Sequence, residues 1–425
     1  MDLILVVLAL ILCMLMTLYI WKRDKFYAFY YMALILYAFP ALIGYRFFPN
    51  LSVMQKAYFG EKEWMSYFLF VIISFVTFTL FFHFFYKIPL KRSFLKIEKK
   101  KHETDLYFYV ALIFIVFAVL VQIVNLIVNK DMISWENIAN AEIISNNMLM
   151  KICSSLFKIS VGYNLILYFF VRSRCFKSIK KNLIIITFTF SFAVFLFYAF
   201  KSGNRTDLVA FFLGFMMIES YLGYFNKKTV IKYLLLMIIA VGFMMAIAKS
   251  RDRNFGSGLD SFAYKILAQD YYAPEHILFA AMHLKVIEPM EVIKSNFCNS
   301  LVMLGYPYLQ QGVTEMFNPG VATRNTGYAF YIFTEGYLFI GKLGWLYNGL
   351  VLNLGLRFWR RISNSKDKEF NHICIALMAA FSINLVRGQS SYFIKYLYTN
   401  LIFNLILYFL ISGKHFKIVF SNKRR

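Results

Sequence analysis

The chain has 425 residues, of which 60% are hydrophobic, 20% aromatic and only 16% charged, with a mean hydropathy of +0.59. These values exclude a soluble globular protein, a disordered chain and a disulfide scaffold, and they leave a multi-span membrane protein. The formal net charge of +24, from 46 basic and 22 acidic residues, fits poorly with a lipid-soluble chain until the charges are placed.

The first apolar run, 3–20, has no basic stretch before it and no small-residue cleavage site after it, and Trp21, Lys22 and Arg23 follow directly. It reads as an uncleaved anchor with its N-terminus outside. A spanning helix takes about 20 apolar residues. Further spans are predicted at 26–47, 64–86, 107–128, 152–171, 183–200, 207–225, 232–248, 333–356, 372–386 and 396–412. The expectation is an all-α polytopic fold of about eleven transmembrane helices, with 1–425 as a single integral membrane domain.

The connections then alternate sides. One set runs through Lys22–Lys25, Lys87–Lys101, Arg172–Lys181, Lys227–Lys232, Arg357–Lys368 and Lys414–Arg425, and holds more than half of the basic residues. These loops are short, so the positive-inside rule makes them cytoplasmic and places the C-terminus inside. The opposite set is short except for 249–332, a large loop between the eighth and ninth spans. Its weakly apolar pieces, 277–284 and 297–304, are too short to span and predict short helices lying on or dipping into the membrane. No internal repeat is present, which argues against an inverted-repeat transporter.

A second population of positive charge lies on the outer side. Arg46 is near the end of the second span, and Arg205 is in the turn Lys201–Asp207. Arg251 and Arg253 open the large loop, Arg324 comes shortly before its end, and Arg387 lies in the turn Arg387–Ser391. A guanidinium takes a phosphate through two parallel hydrogen bonds and keeps its charge throughout. Converging from separate turns, these arginines would form a diphosphate site, and Gly203, Gly256, Gly258 and Gly388 would let backbone N–H groups approach the same anion. The plainer alternative is that each arginine snorkels to lipid headgroups or pairs with Asp207 or Asp252.

Within the large loop, His276 is a candidate general base near neutral pH, or an ordinary exposed histidine. Tyr271, Tyr272, Tyr306, Tyr308 and Tyr328 offer aromatic faces for sugar rings, or serve as interfacial anchors. Glu335 stands inside a strongly apolar run, where a carboxylate needs a partner or a task. It would accept a proton from a hydroxyl, hold an arginine in place, or form a salt bridge with Arg324, Lys342 or a neighbouring span. Gly336, Gly341 and Gly344 follow within ten residues and permit close helix packing or a broken helix.

Several chemistries lack their residues. There is no Walker A motif, no HExxH, no Cys/His cluster and no paired-Asp metal motif, so neither metal nor cofactor is expected. The five cysteines, Cys13, Cys153, Cys175, Cys298 and Cys374, are scattered and read as small buried hydrophobes. No soluble domain is long enough to hold a nucleotide-sugar, so an enzyme here would take an already activated, membrane-borne donor.

The many spans, the large late loop, the Ser-Gly-Asn-Arg-Thr turn at 202–206 and the Thr-Glu-Gly-Tyr…Gly-Lys-Leu-Gly run at 334–344 resemble the Wzy-type oligosaccharide repeat-unit polymerases of O-antigen and capsule. The resemblance implies a GT-C-like fold shared with the O-antigen ligases, in a bacterial inner membrane. It implies transfer of an undecaprenyl-pyrophosphate-linked glycan onto the nonreducing end of another lipid-linked repeat unit, on the periplasmic face, with undecaprenyl pyrophosphate leaving. By that resemblance Arg205, Arg251, Arg253, Arg324 and Arg387 would hold the donor pyrophosphate. Glu335 or His276 would take the acceptor proton, and Tyr328 and Tyr272 would contact glycan. The implied partners are lipid-linked glycans, membrane lipid and a separate chain-length regulator, with no nucleic acid. An O-antigen ligase and a lipid-linked oligosaccharide flippase are the alternatives.

Overall fold

The computed structural model describes residues 2–47, 61–90, 95–99, 105–133, 147–173, 176, 179–202, 205–224, 242, 278, 281–282, 287–301, 308–317 and 330–418. In chain order the helices are α1 (Asp2–Trp21), α2 (Lys25–Phe47), α3 (Glu61–Lys87), α4 (Asp105–Val128), α5 (Met148–Ser173), α6 (Ile179–Ser202) and α7 (Arg205–Tyr221). They continue with α8 (Pro289–Leu301), α9 (Leu309–Phe317), α10 (Ile332–Ile340), α11 (Gly344–Ser363), α12 (Lys368–Val386) and α13 (Tyr392–Ser412). Seven helices among the described residues are long and apolar enough to cross a membrane: α1, α3 from Trp64, α4, α5, α6, α12 and α13. Each coincides with a predicted span. The predicted span at 232–248 lies outside the described residues apart from residue 242.

Two short strands qualify the all-helical expectation. β1 (Leu95–Lys99) pairs antiparallel with β2 (Lys414–Ile418), with Glu98 opposite His415. Both strands fall in segments that the charge pattern puts on the same side of the membrane, and their pairing requires a shared side.

The chain divides into two compact units. The first comprises Met1–Leu90, Gly256–Trp359 and Ser382–Lys395, and the second Lys91–Phe255, Arg360–Phe381 and Tyr396–Arg425. In the second unit, α5 packs on α6 and α7. A Cβ at Gly162 would lie 2.1 Å from Asn404 Nδ2, so the glycine is what lets α5 and α13 approach. Glu219, buried on α7, accepts from Arg172 Nε (2.7 Å) and Nη2 (3.1 Å), a bidentate pair with a Tyr168 hydroxyl added. Lys414 donates to Asp367 (2.7 Å) and Glu369 (2.6 Å). Burial opposes its charge, yet those hydrogen bonds hold its pKa above the usual lysine value.

In the first unit, α3 and α11 run side by side. Asn348 Nδ2 donates to Ser74 Oγ (3.4 Å), Asn353 Nδ2 to the Phe78 carbonyl (3.0 Å), and Arg357 Nη2 to the carbonyls of Ile88 (2.8 Å) and Pro89 (3.1 Å). The last contact puts a guanidinium on the exposed carbonyls beyond the α3 C-terminus, where positive charge is favourable. Gly349 makes the contact close, since a Cβ there would meet Thr77 Cγ2 at 2.6 Å.

The predicted ninth span, 333–356, is not one helix. α10 ends at Gly341, whose φ of +63° suits glycine, and a short 3-10 turn over Gly341–Leu343 reverses the chain into α11. A Cβ at Gly336 would lie 2.3 Å from the Gly344 carbonyl oxygen, and one at Gly344 would lie 2.3 Å from Gly336. Apolar content alone reads this stretch as a span. Backbone contact between the two glycines folds it into a helical hairpin. The ring of Phe333 packs on Phe75 (5.3 Å) and that of Tyr337 on Phe70 (5.4 Å). α10 therefore starts level with the middle of α3 and runs toward the α3 N-terminus, and α11 returns beside it.

In the late loop, residues 278, 281 and 282 of the piece at 277–284 are helical, α8 covers 297–301 of the piece at 297–304, and α9 follows beyond both. Pro289 starts α8, where a missing N–H leaves no bond unmade, and the Glu288 carbonyl accepts from Glu291 N (2.9 Å). α8 buries Val292, Ser295 and Asn299 while Met290, Ile293 and Phe297 face outward, an apolar outer face suited to lipid.

Candidate functional site

Glu335 is 0% exposed, on the first turn of α10, and its carboxylate is surrounded by donors from three other segments. Asn296 Nδ2 of α8 donates to Oε1 (2.8 Å), as does the Tyr347 hydroxyl of α11. From the turn between α12 and α13, Ser390 donates twice, its backbone N–H to Oε2 and its hydroxyl to Oε1, each at 2.6 Å. A carboxylate offers about four lone-pair positions; here three donors converge on Oε1 and one on Oε2. Among the described residues no lysine or arginine forms an ion pair with Glu335. The predicted salt bridge to Lys342 is therefore not formed. A group so engaged is built to hold structure in place more than to strip a proton from an incoming hydroxyl.

The same turn is fixed a second time. Gln389, buried, donates to Asn296 Oδ1 (3.0 Å) and accepts from the Leu309 backbone N–H (2.9 Å), tying α8 and the start of α9 to the turn. Ser391 N–H donates to Asn296 Oδ1 (3.3 Å). Arg387 heads this turn, half-buried, with its guanidinium 5.8 Å from the Tyr37 ring centroid of α2. The turn is thus held through Glu335 at the level of Phe70–Phe75, roughly 15 Å along α3 from Glu61 at a rise of 1.5 Å per residue. Gly388 does not open the backbone to a ligand, because the ring of Tyr392 fills the space beside it, 2.1 Å from where a Cβ would stand.

The structure brings Glu335 and the Arg387 turn together. Arg205 opens α7, and only its backbone is described. His276, Arg251, Arg253, Arg324, Tyr272 and Tyr328, and the side chain of Arg46, lie outside the described residues. Asn296 and Tyr347 were not singled out by sequence reading, and neither carries a distinctive local motif. Lys395 was also missed: a lone cation at the head of the last apolar run, it donates to the Tyr308 hydroxyl and sits 4.7 Å and 5.4 Å from the ring centroids of Tyr308 and Tyr392.

The fold is that of an all-α polytopic membrane protein with a buried polar node around a carboxylate. Comparison with family models, curated proteins and solved structures returns no match for the chain.

Proposed function

We propose that the chain is a membrane glycosyltransferase that polymerises undecaprenyl-pyrophosphate-linked repeat units into an O-antigen, capsule or related surface polysaccharide. In this reading it lies in a bacterial inner membrane with a GT-C-like fold of about eleven spans, its N-terminus outside and its C-terminus cytoplasmic. An acceptor hydroxyl of one lipid-linked unit attacks the anomeric carbon of another. The bond from that carbon to the pyrophosphate oxygen breaks, and undecaprenyl pyrophosphate leaves with the electron pair. Arg387, together with Arg205, Arg251, Arg253 and Arg324, stabilises the charge on the departing diphosphate. Tyr272 and Tyr328 contact the glycan. Because Glu335 already accepts four hydrogen bonds, His276 takes the acceptor proton and Glu335 holds the arginine-bearing turn.

The observation that carries the reading is the buried Glu335, accepting four hydrogen bonds and fastening the Arg387 turn. Such an arrangement holds the turn that bears the half-buried Arg387, whose charge acts more strongly there than in open water. Deleting the gene and resolving the surface glycan on a gel tests the proposal. A single repeat unit on its acceptor is the expected result, and an unchanged ladder contradicts it.

A flippase is a second reading, favoured by the depth of Glu335 and by the broken helix, since discontinuous helices with midplane polar groups are common in transporters. The same gel separates the two, because loss of a flippase removes even the single exported unit.

A further inference from the structure

Lys395 stands in the first turn of α13, its N–H donating to the Ser391 carbonyl (3.0 Å). Its ammonium donates to the Tyr308 hydroxyl oxygen and lies over two rings, Tyr308 at 4.7 Å and Tyr392 at 5.4 Å, which meet edge to face at 5.8 Å. An ammonium so placed is partly stripped of water while the ring faces favour its charge. Having accepted from Lys395, the Tyr308 hydroxyl still carries its own proton. Neighbouring positive charge makes that O–H a better donor. The pair therefore presents an N–H⁺ and an O–H side by side, the donor set that an anionic oxygen takes up. Close by in the chain, Ser391 Oγ is buried with no hydrogen-bond partner among the described residues. The Lys395 group follows directly on the Arg387–Ser391 turn, whose position Glu335 and Asn296 fix.

We propose that Lys395 and Tyr308 form an anion grip for the phosphate of a membrane lipid, and that within the proposed polymerase, on which the assignment rests, this phosphate belongs to the lipid pyrophosphate held by Arg387. Lysine suits the role, as a compact charge that contacts phosphate without the planar fork of arginine. Tyr392 packs the ring wall and, by filling the space at Gly388, couples the grip to the turn.

The test uses the purified full-length protein in nanodiscs. Binding of farnesyl pyrophosphate is measured for the wild type, Lys395→Met, Lys395→Arg and Tyr308→Phe, with thermal melting as a folding control. Lys395→Met is expected to weaken binding by about 10-fold or more, Tyr308→Phe by less, and Lys395→Arg is expected to restore most of it. Unchanged binding in a folded Lys395→Met protein overturns the grip while leaving the wider functional reading intact. Should the wild type itself fail to bind farnesyl pyrophosphate, both the grip and the polymerase reading fall. A parallel arm replaces the probe by phosphatidylglycerol. A dependence on Lys395 seen only with phosphatidylglycerol makes the residue a bulk-lipid anchor and overturns its assignment to pyrophosphate.

Discussion

Ser390 gives Glu335 both of its donors, the backbone N–H to one carboxylate oxygen and the hydroxyl to the other, each at 2.6 Å across a sequence separation of 55 residues. One side chain of α10 thereby determines where the turn after α12 rests, and with it Arg387. Replacing the carboxylate by an amide converts two acceptors into one acceptor and one donor, and the new NH₂ would face N–H and O–H groups. Glu335→Gln is expected to destabilise the protein by about 2–4 kcal/mol and to abolish glycan chain extension. Thermal melting in detergent and the surface glycan ladder check the two effects. A Glu335→Gln protein that melts as the wild type does removes the node from the account.

The glycines of the α10–α11 hairpin make a sharper steric prediction. Gly336→Ala puts a methyl 2.3 Å from a backbone oxygen, a clash that no rotamer relieves, and is expected to cost about 1–3 kcal/mol. Among the described residues, Gly312, inside α9, has only Ile287 Cδ1 near, at 3.5 Å. There alanine fits, and Gly312→Ala is expected to stabilise by about 0.5–1 kcal/mol through the entropy of the unfolded chain. Melting temperatures should move in opposite directions for the two variants, and equal shifts would argue against the hairpin.

The strand pair gives a test of topology. Glu98 and His415 are directly opposed, so Glu98→Cys with His415→Cys should form a disulfide under mild oxidation. Ile97→Cys with His415→Cys should not, because successive residues on a strand point to opposite faces. Both engineered thiols should react only with a reagent that reaches the cytoplasm. Labelling from the outside would reverse the orientation drawn from the basic loops.

Much of the helical framework was legible in the chain because crossing a membrane is chiefly a matter of apolar length. Asp105–Val128 and Ile179–Ser202 follow directly from runs of that kind. Glu335 was legible for the converse reason, as a charge where charge is expensive. Its partners were not. Asn296, Tyr347 and Ser390 are ordinary polar residues from three distant segments, and only folding gives them a common target. The break at Gly341 was similarly hidden, since the hydropathy of 333–356 is the same whether Gly336 and Gly344 touch or not. Lys395 escaped notice because one cation before a long apolar run reads as a flank, while its meaning comes from Tyr308, far back in the chain.

We propose that lipid-pyrophosphate chemistry takes place at the turn Glu335 holds. The most direct test is reconstitution: purified protein in liposomes, given undecaprenyl-pyrophosphate-linked repeat units, with glycan length and released undecaprenyl pyrophosphate both followed. The wild type should build a ladder, releasing one undecaprenyl pyrophosphate per unit added. Arg387→Ala should lower the rate by about 10²–10³, and Arg387→Lys should recover only part of it, for want of the bidentate fork. A folded wild-type protein that leaves the single repeat unit unextended, or an Arg387→Ala protein that extends it at the wild-type rate, would contradict the account.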